Sequence, residues 1–374
     1  MNPDKYFRTY AEINLKNIKD NVSALQSKLS DGSKIIGVIK TDAYGHGAVE
    51  VGKAIADQCA GFAVATYAEA VELRENNIDL PIYILGNEHE SCYEGVVAND
   101  FIPCIFAYEM AEALSRSAKA VGKDAKINIA VDTGMSRIGF DTTDKSIDTI
   151  KKISELDNIK IESIFTHFAK ADYVDKTVAE KQLETFKEFI DRLAGVGVEI
   201  PLHQCANSAA IMELPQASMD LARAGISMYG LNPSDEVTGD YLKPALSWKS
   251  HVVFVKDIAE GTGVSYGHTF VADKPMTIAT VPVGYGDGYP RLLSNKGDVL
   301  IAGKRCKILG RVCMDQFMVD VTGMDVKVGD EVTLIGKDGD EEITADEIAN
   351  LTGTINYEVV CDIGKRVPRK YIEE

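Results

Sequence analysis

Five positions capable of chemistry each close or follow a short apolar run: Lys40, Arg137, His167, the pair Asn207-Ser208, and Arg223. A lysine amine can form a Schiff base with a carbonyl, and a hydroxyl opening a helix can hold a phosphate. Singly, each has a plainer reading. A lysine after an apolar strand can be a solvated terminus, and His167 among Phe165, Thr166 and Phe168 can be a core histidine. Arg137 and Arg223 can be structural ion-pair partners. Those readings weaken if all five share one rim. The turn Ala224-Gly225-Ile226 then adds backbone amides beside Ser208, and the set suits a phosphorylated carbonyl cofactor held on Lys40.

The elements predicted around them do share a rim. Lys34-Ile35-Ile36-Gly37-Val38-Ile39-Lys40 is short and β-branched, as a buried parallel strand should be. Similar runs recur near 62–66, 81–86, 101–106, 126–132, 160–167, 200–205 and 219–223. Helical periodicity fills 14–29, 48–59, 67–77, 91–99, 107–121, 145–156 and 176–194. Eight strands alternating with helices predict a closed (β/α)8 barrel, whose reacting groups gather at the strands' C-terminal ends. A doubly wound sheet uses the same alternation, but its G-x-G-x-x-G loop is missing.

From about Trp248 the rhythm changes to short runs at 251–256, 276–283, 298–302, 306–312, 316–321 and 330–335, with one helix at 344–351 capped by Thr344. The fold class expected is α/β: a barrel over 1–240, then a mostly β domain over 241–374. About the first ten residues are expected to pack with the β domain. The boundary falls in Asn232–Pro244, rich in proline, glycine and acid.

Over 374 residues, 40 lysines and arginines face 57 aspartates and glutamates, a net charge of −17. That field repels nucleic acid and anionic lipid. Met1-Asn2-Pro3-Asp4-Lys5-Tyr6 lacks a leader's basic and apolar segments, no run suits a membrane helix, and seven scattered cysteines read as reduced thiols. The expected location is cytoplasmic. No metal is expected: the six histidines have no i, i+4 partner, and Asp338-Gly339-Asp340-Glu341-Glu342 lacks calcium-loop spacing. Asp287 reads as a turn former.

Val38-Ile39-Lys40-Thr41-Asp42-Ala43-Tyr44-Gly45-His46-Gly47 resembles the pyridoxal-phosphate attachment motif of bacterial alanine racemases. The resemblance continues through Asp132-Thr133-Gly134-Met135-Ser136-Arg137-Ile138-Gly139-Phe140, Thr166-His167-Phe168-Ala169, Asn207-Ser208-Ala209-Ala210 and Arg223-Ala224-Gly225-Ile226. It extends to Ser265-Tyr266-Gly267, Gly284-Tyr285, Gly310-Arg311-Val312-Cys313-Met314-Asp315-Gln316 and Ile355-Asn356-Tyr357-Glu358, in the family's order across nearly the whole chain.

The resemblance implies an amino-acid racemase interconverting L- and D-alanine on a pyridoxal 5'-phosphate aldimine, for peptidoglycan precursors. Lys40 and Tyr266 would be bases on opposite faces of the substrate. Tyr44, His167, Asn207, Ser208, Arg223, Gly225, Ile226 and Tyr357 would bind the cofactor, with Arg223 at the pyridine nitrogen. Arg137 and the Met314 amide would meet the substrate carboxylate, and Asp172, Tyr285, Arg291 and Arg311 would line the access corridor. A homodimer is implied, each subunit's β domain completing its partner's site. Where many members carry a carbamylated lysine to orient the Arg137 equivalent, this chain has Ala130. The membrane-anchored serine racemases of glycopeptide resistance share a similar catalytic region, so serine is the alternative substrate and a cytosolic-side catalytic domain the alternative setting. A decarboxylase of like architecture is disfavoured by Arg223, since those enzymes place an acid at the pyridine nitrogen. A pyridoxal-phosphate carrier would have no use for the β domain.

Overall fold

A computed structural model describes residues 8–373. The chain forms two compact units. One spans Asn17–Ala43 and Ala48–Lys243; the other contains Tyr44–Gly47, Pro244 onward, and the described residues up to Lys16, including β1 (Thr9–Asn14). Expectations for residues 1–7 lie outside the described residues.

The first unit is a closed parallel barrel of β2 (Lys34–Val38), β3 (Gly61–Val64), β4 (Ile82–Ile84), β5 (Ile102–Ile105), β6 (Ala125–Ala130), β7 (Ile159–Phe165), β8 (Leu202–Gln204) and β9 (Leu221–Ala224). Its strands are short and mostly buried, with every residue of β3 and β9 buried, because the sheet packs on both faces. The barrel closes where β2 meets β9 in the register Ile36↔Arg223 and Gly37↔Ala224. That pairing makes the Lys40 and Arg223 strands neighbours. Helices Ala48–Ile55, Tyr67–Glu75, Tyr93–Ala98, Tyr108–Val121, Asp144–Ser154, Thr177–Gly195 and Ser208–Glu213 fall between the strands. The longest buries Leu183, Phe186, Phe189 and Leu193 along one face.

The second unit is a ten-stranded sheet. Its main path runs Phe254–Ile258, Met276–Val281, Phe317–Asp320, Lys304–Leu309, Asp298–Ile301, Glu331–Asp338, Leu246–His251, β1 and Arg369–Ile372. Trp248 lies edge-on to Tyr289 at 5.6 Å, and Tyr289 stacks on Phe317 at 5.1 Å. The Trp248 Nε1–H donates to Thr9 Oγ1 at 2.8 Å. The run expected as one strand over 251–256 is divided: Val252 donates to Asp330, and Val253 donates to Thr280. The chain there passes from one partner strand to another. A short helix at Asn356–Cys361, not expected from the sequence, carries Tyr357.

All seven cysteines are free thiols. Among the described residues no helix is long and apolar enough to cross a membrane.

Candidate active site

Lys40 stands two residues past the end of β2, and the chain after it turns the unfavoured way. Thr41, Asp42, Ala43 and Tyr44 all have φ near 53°, forming a left-handed turn without glycine. Such backbone costs roughly 1–2 kcal/mol per residue, so neighbouring structure must hold it. The Ala43 amide donates to Ile39 O at 3.0 Å, and Asp42 Oδ1 accepts from the Ala48 amide at 2.8 Å.

Arg223 is 4% exposed. Its guanidinium donates to Thr166 O at 2.7 Å, approaches His167 Nδ1 at 3.4 Å and lies 5.2 Å from the Phe165 ring centroid. No carboxylate pairs with it among the described residues. Burial first, and Arg137 second, lower its pKa to about 10. His167 is pushed down to about 3 by burial and then by the charges of Arg223, Arg137 and Lys40. The imidazole is therefore neutral at ordinary pH and can accept at Nδ1. In a strongly acidic chain, this rim gathers three cations around a neutral histidine, a setting suited to an anionic ligand.

Asn207 caps the helix Ser208–Glu213, its Oδ1 accepting from the Ala210 amide at 3.0 Å. Ser208 Oγ is buried and accepts from the amides of Gly225 at 2.9 Å and Ser227 at 3.4 Å. The hydroxyl after β8 and the Gly225 and Ser227 amides after β9 thus form one polar corner.

Arg137 is exposed on a loop shaped by Asp132, whose Oδ1 accepts from the amides of Gly134 and Ser136 at 2.9 and 3.0 Å. Ala130 is buried with Cys104 and Phe165, with Phe106 and Ile138 packed against them. An apolar cluster therefore surrounds position 130, and Arg137 pairs with no carboxylate among the described residues. Asp172 lies on the loop after β7, its carbonyl accepting from Ser234 Oγ.

Sequence reading missed Gln182. Buried on the long helix, it donates through Nε2 to Thr133 Oγ1 and His167 O, both at 3.2 Å. Its Oε1 accepts from the Ala169 amide at 2.9 Å. It thereby locks the His167 loop to the loop leading to Arg137. A buried amide on an otherwise apolar helix face was the available signal.

In the second unit, Tyr266 is 68% exposed on a tight turn beginning at Ser265, which has φ 63°. Ser265 Oγ fastens this turn by donating to Arg311 O at 2.6 Å. Tyr285 and Met314 occupy adjoining loops: the Tyr285 amide donates to Cys313 O at 3.1 Å and the Gly286 amide to Met314 O at 2.8 Å. A Cβ on Gly284 would collide with the carbonyls of Cys313 and Met314, so only glycine permits this approach. Asp287, fully buried, accepts from Arg8 Nη1 at 2.9 Å and the Gly284 amide at 3.1 Å. Arg366 spans Asp287 and Asp315, at 3.5 and 2.7 Å. Asp287 is thus an ionic anchor as well as a turn residue. Tyr44 and Tyr357 sit with ring centroids 6.2 Å apart, and Arg291 is exposed on a short turn.

Two family models match the chain: alanine racemase, N-terminal domain, over residues 13–233, and alanine racemase, C-terminal domain, over residues 245–371. The chain belongs to the alanine racemase family. The alanine racemase of Halothermothrix orenii is 45% identical over 368 residues, covering 97% of this chain and 96% of that protein. The alanine racemase of Clostridium novyi is 46% identical over 369 residues, covering 97% and 95%. The solved alanine racemase of Clostridium difficile 630 matches with a TM-score of 0.95 at 42% identity, covering 98% of this chain and 96% of that one. The Bacillus anthracis alanine racemase, solved with bound L-Ala-P, matches with a TM-score of 0.94 at 37% identity, covering 98% and 96%. The barrel-plus-β architecture expected from the sequence is the alanine racemase fold, and the chain is an enzyme of this isomerase family.

Proposed function

We propose that this enzyme interconverts L- and D-alanine with pyridoxal phosphate held on Lys40. The carrying observation is Arg223, buried with no carboxylate partner among the described residues, beside a neutral His167 and on the strand adjoining that of Lys40. This donor set fits the cofactor: a cation for a pyridine nitrogen, an amine for its carbonyl, and a hydroxyl with amides for its phosphate. The cofactor, when bound, supplies the electron sink that makes an amino acid's Cα proton removable.

The remaining work falls to this chain's side chains. Lys40 Nζ takes or returns the Cα proton on one face, and Tyr266 Oη does so on the other; inversion requires both. A phenol with a reference pKa of about 10 needs a nearby cation to act as a base near neutrality. Arg137 is assigned to that stabilisation and to the substrate carboxylate, which the Met314 amide also meets. Arg223 keeps its own proton even at its lowered pKa and so leaves the pyridine nitrogen largely unprotonated. A weaker sink limits side reactions. Neutral His167 supports Arg223 by accepting at Nδ1. Ser208, Asn207, Tyr44, Tyr357 and the Gly225 and Ile226 amides are assigned to the cofactor, mainly its phosphate. Asp172, Tyr285, Arg291 and Arg311 are assigned to the access corridor.

The reading includes a homodimer in which one subunit's β unit brings Tyr266 and Met314 to its partner's barrel. In support, Tyr266 and Met314 are 68% and 53% exposed, unusual for residues meant to meet substrate. It also places the enzyme in the cytoplasm, supplying D-alanine for peptidoglycan precursors. Its names across relatives, and L-Ala-P in the B. anthracis structure, favour alanine over serine. The test is chiral chromatography of product after incubation with pyridoxal phosphate and, separately, L-alanine and L-serine. Faster D-alanine formation is expected. Comparable or faster D-serine formation would move the enzyme to the serine-racemising branch, and carbon dioxide release without D-product would make it a decarboxylase.

A further inference from the structure

Glu69 makes more contacts than its place in a helix requires. It is the third residue of the helix Tyr67–Glu75 and shares a capping box with Thr66: Thr66 Oγ1 accepts from the Glu69 amide at 3.3 Å. The Glu69 carboxylate returns the bond, Oε2 accepting from the Thr66 amide at 3.1 Å. That would complete the cap. The same oxygen also accepts from the Ala65 amide at 2.7 Å, and Oε1 accepts from the Thr41 amide at 2.6 Å.

The bond to Thr41 leaves the helix altogether. Strands β2 and β3 pair with Val38 opposite Ala63, so the junctions following them lie side by side on the barrel rim. Thr41 directly follows Lys40 and opens the left-handed turn through Tyr44. L-residues do not hold that conformation unaided, and a short, charge-assisted bond at its first amide is a strong restraint. From the other side, Ile39 donates to Ala63 O at 2.9 Å. Lys40 is therefore bracketed by two bonds, one on each neighbouring amide: Ile39 to β3 and Thr41 to the helix that follows β3.

We propose that Glu69 is a positioning residue for Lys40. By fixing the Thr41 amide it sets the direction in which the lysine leaves the rim, and its role as helix cap couples that direction to an adjoining element. The inference rests on the reading of Lys40 as the cofactor lysine, and its test separates the two.

In the holoenzyme, Glu69→Ala should speed hydrogen exchange at the Thr41 amide by about tenfold or more and lower kcat for alanine by on the order of tenfold, with KM within about twofold. Glu69→Gln keeps one acceptor oxygen and should recover part of both. Thr66→Ala removes the other half of the cap and should leave both at the unmodified enzyme's values. Unchanged exchange at Thr41 in Glu69→Ala would overturn the proposal. So would equal losses in Thr66→Ala, which would reduce Glu69 to a helix cap. Borohydride reduction followed by peptide mapping locates the cofactor's lysine. An adduct on another lysine would overturn the Lys40 reading and the role of Glu69 with it, whereas an adduct on Lys40 with unchanged Thr41 exchange would overturn Glu69's role alone.

Discussion

His167 and Arg223 illustrate how a rim of cations can stay compatible with folding. Neither has a carboxylate partner among the described residues; each is accommodated by losing affinity for its proton, His167 far enough to be neutral at any physiological pH. That carries a stability consequence with a definite sign. The unfolded histidine titrates near 6.5 and the folded one near 3, so between those values the unfolded chain binds a proton that the folded chain refuses. Stability should fall as pH drops from 6.5 towards 3. Replacing His167 with glutamine removes this contribution, so the variant should lose less stability between pH 7 and pH 4. The difference should be roughly 2–3 kcal/mol by urea unfolding. Equal acid losses in both proteins would mean that His167 is not held neutral. For Lys40, substitution by alanine should abolish both turnover and the visible absorption of bound cofactor. A retained band would assign the cofactor to another lysine.

At the scale of elements, bonds between distant segments decide the geometry. Asp287 is the clearest case in the β unit, since its one carboxylate meets Arg8, Arg366 and the Gly284 amide. Asp287→Asn preserves the shape but removes the charge, leaving two half-exposed arginines without their buried partner. The expected cost is on the order of 3 kcal/mol by urea unfolding, and KM for alanine should rise because the Tyr285 and Met314 loops share this anchor. A loss below about 1 kcal/mol would show the arginines to be adequately hydrated without it. Such elements also mark how far the sequence could be read. The barrel strands were legible because short β-branched runs such as 34–39 fit only a buried parallel sheet, and the rim residues followed from the strand ends. Glu69, Gln182 and Asp287 were not legible in these roles, because they act on partners 28, 49 and 279 positions away. The left-handed turn after Lys40 was hidden for another reason: Thr41-Asp42-Ala43-Tyr44 contains no glycine to announce it. The Asn356–Cys361 helix, at six residues, is too short for periodicity to reveal.

For the whole molecule, the proposed dimer makes a prediction that no single-chain site shares. If Lys40 comes from one subunit and Tyr266 from the other, Lys40→Ala and Tyr266→Phe damage different contributors to each site. In a mixed dimer of the two variants, one site inherits both substitutions and is dead. The other combines the unmodified Lys40 of the Tyr266→Phe chain with the unmodified Tyr266 of the Lys40→Ala chain, and is intact. Random reassembly makes half the dimers mixed, each with one working site, so about a quarter of the unmodified activity should return. The two variants would be dissociated, mixed in equal amounts, reassociated and assayed for D-alanine formation against each variant carried through alone. A site assembled within one chain would give no recovery, because every chain in the mixture would still lack either its lysine or its tyrosine. Before mixing, Tyr266→Phe should impair proton removal from one enantiomer far more than from the other, since each base serves one face. Equal impairment in both directions would argue against two bases, while leaving the subunit arrangement to be decided by the mixing result.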